Sequence, residues 1–481
     1  MRVVLWDTRR IESSKDFAGG MGVGLYPRRS GLRNRIIRWF YTRDYRPTAL
    51  VYAHLAAALR RLGHEVRYVV DRPPDGADVY IFCPSLQTLE HERSVAADLI
   101  RRQPEAVVLV VGAAARAMAD RWADLPITLI DGEPEQLHRN FDRAISQRGG
   151  RVDIGIVEDL DALPLPDWSP FEPRRFRIGY DFTRFPTALI QASRGCSFRC
   201  NYCPYVMFGH EVRTRSPEAV VDEIQHDVFN WGFRSFKFRD PLWGRDRDQV
   251  YRLADLIGRL PQPIEFSVES RIEYLPPEVL RALRRVGLTS VTVGLETPNA
   301  ETLRRYRRAG ISDDRQAEFI ATCRRLGIRT VAGFMIGFPE DTDESIRAVL
   351  DYALRVNPTF ANFNIVTPYP GTPFFGEIRD RIDDFDFGKY NVYTPVLRYQ
   401  HLTREQVENW HATCFRRFYF RWDWLRDNAA VLWPRWFAAE ADLAESKTRP
   451  GAHEGVPQPM GRAALRRRGL RRDEPHTPRS Q

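Results

Sequence analysis

From residue 188 onward one pattern repeats along the chain. Six short runs of β-branched and aromatic residues lie at 188–192, 235–239, 264–269, 290–295, 330–336 and 360–366, and stretches of helical spacing separate them. One helix opens at Ser216-Pro217, a capping residue with proline at the first helical position. Another covers 312–326 and stops at Gly327. Strands joined by helical crossovers must run parallel. Six such units are too few to close an eight-fold barrel, so they predict an open (β/α)6 one.

The first part of the chain alternates in the same way. Strand-like runs occupy 3–6, 66–70, 79–82, 107–111 and 127–130, and Val51, Leu55, Ala58, Leu59 and Leu62 recur at helical spacing before Gly63. Segments 93–102 and 134–145 also read as helices. The fold class is therefore α/β: a doubly wound, Rossmann-like domain followed by the partial barrel. An insertion over 7–47 interrupts the first domain. Its Gly20-Met-Gly22-Val-Gly24 run is no dinucleotide fingerprint, because Tyr26-Pro27 follows where a helix should start. An Ω-like loop is expected instead. The expected divisions are 1–150, a Pro-rich linker over 151–186 containing Leu163-Pro-Leu-Pro-Asp-Trp-Ser-Pro170, the barrel over 187–379, a helical aromatic-rich region over 380–440, and a disordered tail over 441–481 rich in Arg, Pro and Gly.

The formal charge of +9 raises the question of nucleic acid. Of the 72 basic residues only Lys15, Lys237, Lys389 and Lys447 are lysine. That skew fits codon bias better than a phosphate-binding face, so no specific nucleic-acid partner is expected. Charged residues follow the first apolar run at once, and the longest apolar stretch, 106–115, is too short to cross a bilayer. A cytoplasmic protein is expected.

Of the six cysteines, three fall within eight residues: Cys196-Ser-Phe-Arg-Cys200-Asn-Tyr-Cys203. That is a metal-site pattern on a loop after a strand, not a disulfide framework. Three thiolates can ligate three irons of a [4Fe–4S] cube and leave the fourth open for a chelating ligand. A structural zinc site completed by His210 is the alternative. Cys323, on the apolar face of its helix, together with Cys83 and Cys414, is expected to be structural.

The C-x3-C-x2-C spacing, with Tyr202 just before the third cysteine, resembles the radical S-adenosylmethionine (SAM) superfamily over about residues 187–370. Val293-Gly-Leu-Glu296 resembles the segment whose acid faces the ribose, Ser270-Arg271 the region holding the methionine carboxylate, and Gly333-Phe-Met-Ile-Gly337-Phe-Pro-Glu340 the motif packing against adenine. Where relatives carry Gly-Gly-Glu, this chain has Arg239-Asp240-Pro241, which leaves Asp240 as acceptor for the methionine amine. The resemblance thus implies Tyr202, Asp240, Arg271, Glu296 and Gly337 as SAM contacts. Asp240, Arg271, Glu296 and Gly337 also stand at carboxyl ends of predicted strands, the face where β/α barrels carry their sites.

The first domain resembles the cobalamin-binding class of the same superfamily, on Leu59-Arg-Arg-Leu-Gly-His-Glu-Val66, Cys83-Pro-Ser85, Val110-Val-Gly112 and Asp131-Gly-Glu-Pro-Glu135. Ser85, Gly112, Ala113, Gly132 and Glu133 are the implied cobalamin contacts. The Asp-x-His-x-x-Gly motif that donates a histidine to cobalt is absent, and His54 reads as a core residue. By resemblance the chain is a cobalamin-dependent radical SAM enzyme. Such an enzyme cleaves SAM to a 5′-deoxyadenosyl radical and methylates an unactivated carbon of a small-molecule substrate, here expected to be a natural product or lipid-like, with radical cyclisation or rearrangement as the alternative. An external electron donor of flavodoxin or ferredoxin type is implied. A non-catalytic zinc- or corrin-binding module is the reading from a different class. Trp410, Phe415, Phe418, Tyr419, Phe420, Trp422, Trp424, Trp433, Trp436 and Phe437 read as a helical subdomain packed on the barrel. The alternative is a peripheral membrane contact or a face for a lipid-like substrate.

Overall fold

The computed structural model describes residues 1–8, 13–42, 45–47, 49–71, 74–205 and 209–432. The expected tail, with Trp433, Trp436 and Phe437, lies outside them. Residues Met1–Ala430 form one compact unit.

Two parallel six-stranded sheets organise this unit. The first contains β1 (Arg2–Asp7), β2 (Glu65–Val70), β3 (Val79–Phe82), β4 (Val107–Val110), β5 (Thr128–Gly132) and β6 (Arg151–Gly155), in the order β2-β1-β3-β4-β5-β6. Alternation of side chains along β1 sends Val3 and Leu5 to one face and Val4 and Trp6 to the other. The first pair packs with Tyr52, Leu55 and Leu59 of α2 (Leu50–Arg61) and Phe141 of α5 (Leu137–Ser146). The second packs with Leu89, Ala96 and Leu99 of α3 (Leu89–Arg102), with Ala115 of α4 (Ala113–Ala117) and with Trp122. Strand order reverses between β1 and β3, which opens a crevice at the carboxyl ends of the strands.

The expected boundary at 150 falls one strand short. β6 pairs with β5, and Val152 and Ile154 join the first core. As an edge strand it buries only alternate residues, so its five residues carry a weak apolar signal. The Pro-rich segment is no free spacer either. Trp168 is fully buried and its Nε1 donates to both carboxylate oxygens of Asp227 at 3.1 Å. Pro164 O contacts His54 Nδ1 at 3.2 Å, which accounts for His54 as a satisfied core residue.

The barrel strands are β7 (Thr187–Ile190), β8 (Ser235–Phe238), β9 (Glu265–Ser270), β10 (Leu288–Glu296), β11 (Arg329–Ile336) and β12 (Phe360–Ile365), neighbours in sequence order and all parallel. All six expected strands are present. Helices α6 (Pro217–Trp231), α7 (Arg247–Gly258), α8 (Pro277–Arg285), α9 (Ala300–Arg305), α10 (Asp313–Arg325) and α11 (Asp343–Val356) follow the first five strands. Ser216 Oγ caps α6 by accepting from Ala219 N–H.

An open barrel leaves edge backbone on its last strand. The insertion in the first domain helps cover it with a helix that the sequence reading did not include, α1 (Leu32–Thr42), which packs on α12 (Arg404–Tyr419). Tyr419 Oη accepts from Ala361 N–H at 2.9 Å, and Tyr41 Oη donates to Ala361 O at 3.1 Å. The aromatic C-terminal region is thus largely core: Phe415, Phe418, Tyr419 and Trp424 are buried, and Trp422 is exposed. Its α-helices begin only at Arg404, and before it the stretch from 380 holds only short 3-10 turns at Arg379–Arg381 and Phe387–Lys389. Asp384 accepts from Asp386 N–H, and Asp386 caps the 3-10 turn Phe387–Lys389 by accepting from Gly388 N–H, which favours short turns over α-helix in that stretch. Among the described residues no helix is long and apolar enough to cross a membrane.

Candidate active site

The cysteines sit on a loop at the mouth of the barrel. An antiparallel pairing of Ser193–Arg194 with Arg213–Thr214 closes its base. Gly195 has φ +87°, and a Cβ there would stand 1.9 Å from Glu211 O, so only glycine fits. The loop is held at several points. Cys203 N–H bonds Cys200 O at 3.2 Å. Asn201 donates to Glu377 Oε2 at 2.7 Å and to Tyr306 O through its backbone. Tyr202 packs edge-on to Tyr306 and Phe338. Burial raises the Cys196 thiol and pushes Cys203 up to about 12, and each carries the charge of the neighbouring thiol as a further upward cause. Binding to iron would displace these protons. Among the described residues no three Cys, His, Asp or Glu side chains converge as on a single metal ion. A cube takes its thiolates on three separate irons. His210, the fourth ligand of the zinc alternative, lies with Nδ1 3.2 Å from Cys196 O.

Two of the expected SAM residues lie on one side of the loop, beside the cysteines. Arg271 is buried, with its guanidinium 4.3 Å over the Phe198 ring inside the loop. Its Nε and Nη2 bond Glu273 Oε1 and Nη2 bonds Ala309 O, while Nη1 is buried without a partner. A carboxylate would satisfy that orphaned donor. Glu296 stands at a bulge where β10 shifts register against β11, with φ +64°, so its side chain is turned out of the strand pattern. Arg308 Nη2 meets its Oε1 at 3.1 Å. Burial raises the Glu296 carboxyl, opposed by Arg308 and Arg271. A Cβ on Gly294 would lie 2.2 Å from Glu296 Oε1, so this glycine makes room for the pair. Gly337, with φ +75°, ends β11 beside Ile365, Val407 and the Tyr399 hydroxyl.

Asp240 is arranged differently. It is fully buried and accepts from Ala192 N–H and from Ser193 Oγ at 2.6 Å, so it braces the strand end that leads into the cysteine loop. Burial pushes its carboxyl up to about 6. It lines a separate cavity with Trp243 and Arg245.

Across the cysteine loop, at the carboxyl ends of the first sheet, lies a cavity of about 350 Å³. Gly112, Ala113, Gly132 and Glu133 line it from the sheet side, and Gly195, Tyr205 and Arg239 from the barrel side. Gly112 and Gly132 have φ +98° and +119°, and a Cβ there would meet Cys83 Sγ at 2.9 Å and Gly155 O at 2.3 Å, so both positions on the cavity wall are kept as glycine by the protein around them. A second cavity of about 530 Å³ shares Lys15, Asp16 and Ala49 with it. Ser85 does not line the first cavity. It is fully buried beside Thr88, and Gly22 of the insertion passes so close that a Cβ would lie 2.5 Å from Ser85 Cβ. Gly19 and Gly20 of that same insertion do reach the cavity.

Sequence reasoning passed over Arg308, one of four arginines in 304–308, and Arg194, Glu135 and Arg213. Arg194 Nη1 meets Glu133 Oε2 at 3.0 Å and Nη2 meets Glu135 Oε1 at 2.6 Å, and Arg213 also binds Glu133, all four being at least nine-tenths buried at the side chain. The nearness of Arg194 to Cys196 was the one available signal.

Residues 190–353 match the description "Radical SAM superfamily". The anaerobic magnesium-protoporphyrin IX monomethyl ester cyclase of Cereibacter sphaeroides is 28% identical over 270 residues, 55% of this chain and 43% of that protein. The bacteriochlorophyllide d C-12(1)-methyltransferase of Chlorobaculum tepidum is 26% identical over 293 residues, 60% of this chain and 59% of that protein. The chain therefore spans less than two thirds of these relatives' lengths. Among solved structures, the radical S-adenosylmethionine methyltransferase TsrM of Kitasatospora setae, with cobalamin and a [4Fe–4S] cluster bound, superposes with a TM-score of 0.55 at 18% identity, covering 79% of this chain and 75% of that one. That likeness is one of fold.

Proposed function

We propose, for a chain whose residues 190–353 match the radical SAM superfamily, a cobalamin-dependent radical SAM enzyme that methylates an unactivated carbon of a small-molecule substrate. The observation that carries this is the cavity between the two sheets: glycine backbone from the first domain faces the base of the three-cysteine loop across it. When bound, the cluster, SAM and cobalamin supply electron transfer, a hydrogen-abstracting radical and a methyl carrier.

The chain's own part is positioning. Cys196, Cys200 and Cys203 hold the cluster. Arg271 offers its unpartnered Nη1 to the methionine carboxylate, and Glu296, turned out at the β10 bulge, accepts from the ribose hydroxyls. Tyr202 and Gly337 shape the adenosyl pocket. Asp240 acts by bracing residues 192–193, since its acceptor oxygens are already engaged there. Gly112, Ala113 and Gly132 would bed the corrin, in a cavity that adjoins the second one at Asp16. No described histidine is placed by motif as a ligand to cobalt. Single electrons come from a flavodoxin- or ferredoxin-type donor.

Anaerobic reconstitution tests the reading. The protein should take up about four irons with sulfide, bind one hydroxocobalamin, and release 5′-deoxyadenosine from SAM. Label from methyl-deuterated SAM should appear in a candidate substrate. One zinc in place of iron would overturn it. Radical cyclisation is the second reading, favoured by the 28% identity to a protein named as a cyclase. A product gaining no methyl mass would select it.

A further inference from the structure

The buried ion-pair network at the rim of the cavity joins parts of the molecule with different jobs. Glu133 and Glu135 follow β5 of the first sheet. Arg194 and Arg213 form the paired base of the cysteine loop, and Arg194 lies two residues before Cys196. Arg194 binds both carboxylates: Nη1 lies 3.0 Å from Glu133 Oε2 and 3.2 Å from Glu135 Oε2, and Nη2 lies 2.6 Å from Glu135 Oε1. Arg213 extends the chain of charges at Glu133, which also accepts from Val157 N–H at 2.9 Å. Burial alone would push the Glu135 carboxyl up; Arg194 overrides it and holds it at about 2. Four desolvated charges linked in an alternating chain fix geometry, because loss of one partner strands another charge away from water.

We propose that Arg194 is a positioning residue that, through Glu133 and Glu135, pins the cysteine loop to the first sheet and so sets the separation of the cluster from the corrin. This rests on the reading of both cofactors above. Glu133 then acts mainly as one half of this brace, and its place on the cavity wall follows from it. Arginine suits the task, since its planar fork reaches two carboxylates at once.

The test uses the full chain, reconstituted with iron, sulfide and hydroxocobalamin, as wild type, Arg194→Gln, Arg194→Lys and Glu135→Gln. Hydrogen exchange should be faster by about two to three and a half decades in residues 193–214 of Arg194→Gln, the range carried by a broken buried pair, with the rest of the chain unchanged. Iron and corrin contents should stay at wild-type levels. The EPR broadening between reduced cluster and cob(II)alamin should change in the Gln variant and recover in part in Arg194→Lys. Wild-type exchange in 193–214, or exchange raised evenly along the whole chain, overturns the proposal. If Arg194→Gln does not fold, Glu135→Gln must show the same local signature at smaller size, and its absence is equally fatal. A wild-type protein that takes up no iron or corrin would defeat the functional reading, while the exchange data still judge the brace.

Discussion

Arg308 links Cys200 to Glu296. One guanidinium nitrogen lies 3.9 Å from Cys200 Sγ, and the other lies 3.1 Å from Glu296 Oε1 and 3.0 Å from Gly294 O. A fixed positive charge therefore sits between a cysteine proposed as cluster ligand and the carboxylate proposed for the ribose. Charge and hydrogen bonds at cluster sulfurs are among the terms that set reduction potential.

Arg308→Gln removes the charge and keeps a polar side chain. The cluster's midpoint potential should fall by on the order of tens of millivolts, because the reduced state carries one more negative charge. Redox titration followed by EPR measures it. An unchanged potential with full iron content would exclude an electrostatic role for Arg308 at Cys200.

Gly294→Ala tests the room this arrangement needs. The added Cβ would lie 2.2 Å from Glu296 Oε1 and 2.9 Å from Arg308 Nη2, so the pair must move. Affinity for S-adenosylhomocysteine, read by calorimetry, should fall about tenfold or more, since about 1.4 kcal/mol suffices. Hydroxocobalamin binding should not change. Wild-type affinity for the nucleoside would relocate the adenosyl site.

The strands of the barrel and five strands of the first sheet were legible because few of their residues face solvent, which writes runs rich in apolar and β-branched residues into parallel strands. β6 escaped because Arg151, Asp153 and Gly155 face solvent on an edge, leaving two apolar residues as its signature. Helix α1 escaped because its role is to cover β12, more than three hundred residues away, and no local pattern reports that distance. At the site, spacing picked out the cysteines, while Arg308 looked like its arginine neighbours. Glu133 was read as a cofactor contact from its place after a strand; the arginines that occupy its oxygens come from another part of the chain. Ser85 stood at a strand end as expected, yet the insertion covers it.

Asp16, on the wall shared by both cavities, predicts a pH dependence. Burial pushes its carboxyl up to about 7, against the Leu50 N–H and Arg239, which lower it. An acid raised on folding binds more protons folded than unfolded, so stability falls as pH rises from the ordinary carboxylate range towards 7. Above that, Asp16 is ionised in both states and the whole cost is present. Asp16→Asn retains an acceptor for Leu50 N–H without that cost. Urea midpoints at pH 5 and pH 8 should show the wild type losing ground to the variant by about 2.6 kcal/mol. A difference independent of pH would show that Asp16 does not titrate as placed.

The last prediction concerns the strap between the domains. Trp168 is fully buried against Phe171, Phe176 and Phe233, and its indole N–H is shared by the two oxygens of Asp227. Trp168→Phe keeps an aromatic ring, removes the donor, and leaves space where the second ring was. Asp227 is buried, so the lost bond strands an acceptor. The two effects together should cost about 2–4 kcal/mol in urea unfolding. Asp227→Asn in the wild-type background keeps an oxygen to accept from the indole and should cost less. If Trp168→Phe is nearly neutral, residues 163–170 are only a tether. A cost of the expected size would make them part of the structure that holds the first sheet against the barrel, and with it the cavity between them.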